Sequence, residues 1–110
     1  MSIDLAFPRG GLTFRRVVWS FILGVALEHG SEPMGTERPQ EFEGEWNGKD
    51  YGSNSSQYVK DEDARGLAVA LEEAIGSGIM DPDGGEIDDE LLQMIKILIG
   101  FCKFSGFSIY

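Results

Sequence analysis

One cysteine, one histidine and nine basic residues among 110 leave little from which to build a reactive centre. Cys102 cannot close an intramolecular disulfide. It lies in an apolar helical pattern, where a free thiol behaves as a small hydrophobe, so a reducing compartment is expected. His29 has no second histidine to share a metal ion, and a place near the carbonyls at a helix end explains it better than catalysis. No basic stretch precedes an apolar one near the N-terminus. The longest nearly apolar run, Val17 to Leu27, is broken by Ser20 and is too short to span a bilayer. These absences favour a cytoplasmic, non-enzymatic protein with no cofactor, metal or membrane contact.

Basic residues are also outnumbered, nine against nineteen acidic ones, giving a net charge of -10. Residues 1–30 sum to +1, 31–63 to -6, 64–90 to -7 and 91–110 to +2, so the acid is concentrated in the middle of the chain. Such a field repels nucleic acid and anionic lipid and speeds association with a basic protein, although a surplus of acid also serves solubility alone.

The hydrophobic fraction of 42% and charged fraction of 25% are those of an ordinary globular chain, and the length suits one domain over residues 1–110. After a flexible start over 1–11, Phe14, Val17, Val18, Phe21 and Val25 recur at helical spacing, predicting a largely buried helix over about 13–29. Thr13 would be its N-cap and Gly30 its stop. Residues 31–41 read as a loop. Asn47-Gly48 between short flanks predicts a type I′ hairpin pairing 43–46 with 49–52, and 57–59 is a third candidate strand.

Ala64, Leu67, Ala68, Leu71 and Ile75 form one apolar face of a second helix over about 61–75, with Asp61, Glu62 and Asp63 in its first turn, where carboxyls suit the helix dipole. A third helix over about 89–104 follows an N-cap at Asp88, and Phe107 to Tyr110 can return as a terminal strand, 107–110. Three helices with a small mixed or antiparallel sheet make an α+β domain.

No motif reaches the specificity of a catalytic or metal site. Asp81 to Asp88 alternates carboxyls on a Gly-rich loop, but Glu86 and Asp88 fall where a calcium loop needs Gly and an apolar residue. The candidate binding residues are Trp46, Tyr51, Ser53, Asn54, Gln57 and Tyr58. The aromatics lie beside acidic residues, as interface anchors do, and packing of the small sheet explains them as well. The Ser53-Asn54 to Gln57 loop could line a polar pocket, with Asp63 or Glu72 contributing.

Several segments resemble a group of small, mostly uncharacterised bacterial proteins: Gly30 to Thr36 (GSEPMGT), Tyr51-Gly52-Ser53-Asn54 with Gln57 and Val59, Asp63-Ala64 with Leu67 to Glu72, and Phe101-Cys102 with Gly106 to Tyr110. Ser31 stands where that group has an aromatic residue, and Ser55-Ser56 where it has an Asp-Gly turn. The resemblance implies one compact α+β domain and carries over no activity and no catalytic residue.

Two functions lead the expectations, with a third behind them. One is a small acidic protein-binding module, most concretely an immunity-type protein that neutralises a basic toxin. The other is a ligand-binding domain or enzyme with its pocket at the 53–57 loop. A structural or regulatory subunit, dimerising through an aromatic patch around Trp46, is a third.

Overall fold

The computed structural model describes residues 2–36, 44, 45, 48, 51, 52, 57–79 and 87–110. Its first element is set by period-two alternation. Ile3, Leu5 and Phe7 are buried while Ser2, Asp4 and Ala6 between them are exposed, so β1 (Ser2–Phe7) offers one apolar face. Pro8-Arg9 turns the chain into β2 (Gly10–Arg15), which pairs antiparallel with β1 in a register that sets Ile3 against Phe14 and Phe7 against Gly10. The Thr13 hydroxyl donates to Asp4 across the pair at 2.7 Å.

The expectation of a flexible start over 1–11 is therefore corrected. So is the helix start at Thr13: Phe14, though at helical spacing from Val18, is spent in the strand, where it is buried and stacks on Trp19. Helix α1 runs Arg16–Glu28 behind Arg15, which makes no side-chain cap. It buries Trp19, Ile22 and Ala26 and leaves Val17 and Leu27 exposed, so it packs on one side and is not the largely buried helix its composition suggests.

The second helix, α2 (Asp61–Ser77), buries Ala64, Leu67, Ala68 and Leu71, the face its spacing predicts. The third, α3 (Asp89–Phe104), opens with the Asp88 carboxyl accepting from the Glu90 N–H at 2.9 Å, which satisfies one of the orphan donors of a helix start. Its Ile95, Leu98, Ile99 and Cys102 are buried, while Ile97 and Phe104 face outward. Short strands β3 (Tyr58–Val59) and β4 (Phe107–Ile109) complete an antiparallel sheet in the order β2-β1-β4-β3.

The expected α+β class holds, with the sheet built differently from the sequence reading. Half of 43–46 and 49–52 lies outside the described residues, and the described positions there, Gly44, Glu45, Tyr51 and Gly52, are in no strand.

The sheet buries Ile3, Leu5, Phe7, Phe14, Val59, Phe107 and Ile109, in one core with the buried helix residues. Phe107 in β4 joins the parts. Its ring lies 5.0 Å from Phe7 and edge-on to Trp19 at 6.2 Å, the offset geometries that aromatic pairs favour. The joint between β4 and α2 is close-fitting: the Gly106 N–H donates to the Asp61 carboxyl at 2.7 Å, and Tyr58 donates to the same oxygen at 3.1 Å. Those two donors, Gly106 first, hold Asp61 below the usual carboxyl range.

Candidate functional site

The C-terminal end of α1 begins the site. Gly30, at φ 92°, lets the chain turn off the helix, its N–H bonding to the Leu27 carbonyl at 3.2 Å and that of Ser31 to Ala26 at 2.9 Å. That pairing is a Schellman cap, and it carries the next residues back over the helix end. Gly30 thus acts as the stop the sequence predicts, and His29 is the capping residue before it.

The 31–36 segment is then fixed to Gly48 and Tyr51. The Thr36 N–H donates to the Gly48 carbonyl at 2.7 Å, and Gly35, at φ 105°, donates its N–H to the Tyr51 hydroxyl at 3.0 Å. From below, the Trp19 indole N–H donates to the Tyr51 carbonyl at 2.7 Å in the core. Backbone and hydroxyl of Tyr51 are both held.

Between these pieces lies a pocket of about 200 Å³. Leu23, Ala26 and Leu27 of α1 form one wall, and Leu67 with Val59 another. Ser31, Pro33, Tyr51 and Gly52 close it from the connecting segments, and Asp63 of α2 supplies a carboxyl.

Asp63 is only 5% exposed, and it accepts a hydrogen bond from the Tyr51 hydroxyl. Burial first, and then this bond, push the Tyr51 phenol well above its usual range, with the Gly35 N–H pulling weakly the other way. Near neutral pH Tyr51 is therefore a fixed donor, not a base. The bonds run in one direction, from Gly35 N–H to Tyr51 O–H to Asp63. The arrangement can hold a polar group at one end and apolar atoms along its walls, the usual make-up of a small-molecule site.

Two wider hollows differ in kind. One of about 360 Å³ between α2 and α3 is flanked by Glu72, Lys96 and Lys103, and one of about 670 Å³ lies among Arg15, Asp88 and Glu90. All these charged residues are exposed.

Of the sequence-predicted residues, Tyr51 lines the pocket and is buried, which does not suit an exposed interface anchor. Gln57 is fully buried and its carbonyl accepts from the Ile109 N–H at 3.0 Å. Tyr58 is 48% exposed on the opposite face of the sheet from Val59. Trp46, Ser53 and Asn54 lie outside the described residues, as do 81–86 of the calcium-like loop.

Asp63 and Glu72 separate: the first enters the pocket, the second faces outward and pairs with Lys103. The walls from α1 carry no sequence signal that distinguishes them from ordinary core. Asp63 does carry one, since it stands four residues before Leu67 and so falls on the buried face of α2.

Cys102 is fully buried, and desolvation pushes its thiol up to about 12, which makes it unreactive in the fold. Among the described residues no group of three or more His, Cys, Asp or Glu is placed to hold a metal ion, and no helix is long and apolar enough to cross a membrane. No family model, curated protein or solved structure matches the chain.

Proposed function

We propose that the chain is a small ligand-binding domain whose site is the pocket between α1 and α2. One observation carries this: a nearly buried carboxyl, Asp63, lines an apolar pocket and is oriented there by a tyrosine whose own hydrogen bonds are fixed. A buried carboxyl costs stability unless it is paired, and sites that depart from the economical apolar choice are where function is to be sought. The test is a thermal-shift screen of small molecules on the wild type and on Ala26→Leu. The larger side chain would fill the space, so molecules that raise the melting temperature of the wild type leave that of the variant unchanged. Equal shifts in both would place binding elsewhere.

A second proposal keeps the acidic charge in view: a cytoplasmic protein-binding module for a basic partner, most concretely an immunity-type protein neutralising a basic toxin. Its support is the outward face of α2, where Val69, itself 64% exposed, has Glu62, Arg65 and Glu73 around it and Glu72 paired with Lys103. An apolar centre ringed by charge is the usual anatomy of an interface. Affinity capture from native extract at low and high salt tests it. One basic protein bound at low salt and lost at high salt supports the module; capture insensitive to salt, or none, sinks it. The resemblance to small bacterial α+β proteins is compatible with either proposal.

A further inference from the structure

We infer that the pocket takes a small organic cation, an ammonium group carried on a compact apolar body. The inference rests on the ligand-binding proposal and adds the ligand's chemistry to it. Asp63 is the one charged side chain among the described residues that line the pocket. A carboxylate has about four acceptor sites, and Tyr51 supplies a donor to one oxygen, Oδ2. Tyr51 has no second proton to give, and its own acceptor side faces the Gly35 N–H at 3.0 Å.

These walls offer no further charge. Leu23, Ala26, Leu27, Val59 and Leu67 have no polar side-chain atom, and Pro33 lacks even a backbone N–H. Ser31 adds only a neutral hydroxyl to the lining, so Asp63 alone sets the charge the ligand meets, and a positively charged donor answers its carboxyl better than a neutral one, because charge-assisted hydrogen bonds are about twice as strong. An anion would meet both Asp63 and a chain of net charge -10. The apolar walls ask for hydrocarbon on the same molecule. At about 200 Å³ the space lies below the usual range of drug-sized sites, so the body is a single small ring or short branched chain.

Calorimetric titration with cyclohexylammonium, cyclohexanol and cyclohexanecarboxylate tests this, since the three share a ring and differ in the group presented to Asp63. The expected result is that the wild type binds the ammonium at least about tenfold more tightly than the alcohol, with the carboxylate weakest. In Asp63→Asn, which keeps an oxygen to accept from Tyr51, that preference falls to near unity. An alcohol bound as tightly as the ammonium by the wild type, or a preference that survives Asp63→Asn, overturns the cation inference and leaves the pocket standing. No binding of any of the three, or ammonium binding that persists in Ala26→Leu, overturns the inference and the pocket together. The wild-type comparison decides the matter even if Asp63→Asn does not fold.

Discussion

The hydroxyl of Tyr51 donates to the carboxyl of Asp63, tying a connecting segment to the first turn of α2 across the floor of a pocket. Because the same hydroxyl accepts from the Gly35 N–H, Tyr51→Phe leaves both partners short of a hydrogen bond. The expected loss is about 1–3 kcal/mol of stability by urea denaturation, the cost of leaving buried polar groups unsatisfied. Asp63→Asn, which preserves an acceptor, should lose less.

Alkaline pH offers a separate reading of the same bond. The folded phenol of Tyr51 is raised above its unfolded value of about 10, so its contribution is fully present below pH about 10 and is lost as pH rises beyond that, where the unfolded chain ionises first. Tyr58 shifts the same way but is half exposed and contributes less. Urea midpoints measured from pH 8 upward should fall above pH about 10 in the wild type and fall less steeply in Tyr51→Phe. Parallel curves would contradict the assignment.

Two glycines predict opposite outcomes. A Cβ on Gly106 would lie 2.0 Å from the Val59 carbonyl oxygen and 2.9 Å from the Lys60 carbonyl carbon, backbone atoms that cannot swing aside. Gly106→Ala must open the joint between β3, β4 and α2, and a loss above about 3 kcal/mol or failure to fold is expected. Gly66, exposed within α2 with nothing within 4 Å of its added Cβ, should gain up to about 1 kcal/mol on replacement by Ala. Thermal melts of both variants check the pair.

Cys102, buried and with its thiol pushed up to about 12, should resist alkylation by iodoacetamide at pH 8 in the native protein. The thiol becomes reactive only on unfolding, so the labelled fraction should follow the urea transition. Fast labelling without urea would contradict the packing of α3.

The helices are legible where local pattern and tertiary packing agree. Leu67, Ala68 and Leu71 mark the buried face of α2, Asp88 caps α3, and Gly30 stops α1. The N-terminal hairpin escapes a reading of the sequence because Phe14 fits a helical spacing as readily as a strand, and only its pairing with Ile3 decides between them. The turn, Pro8-Arg9, lacks the Asn-Gly signature that announces a hairpin. Asp63 reads locally as a dipole-favoured first-turn carboxyl, like Asp61 and Glu62 beside it, and only its spacing from Leu67 sets it on the buried face; its partner Tyr51, twelve residues away, is not legible locally. The pocket is non-local throughout, since α1, the 31–33 segment, Tyr51 and α2 meet only in the folded chain.

The central claim is that this pocket is a ligand site, and the most direct test is a two-dimensional amide spectrum recorded while cyclohexylammonium is titrated into the wild-type protein. Saturable shifts clustered at Ala26, Leu27, Gly52 and Asp63 are predicted. Shifts confined to the exposed carboxylates of Glu72 or Asp88 to Glu90, or none at all, would contradict it.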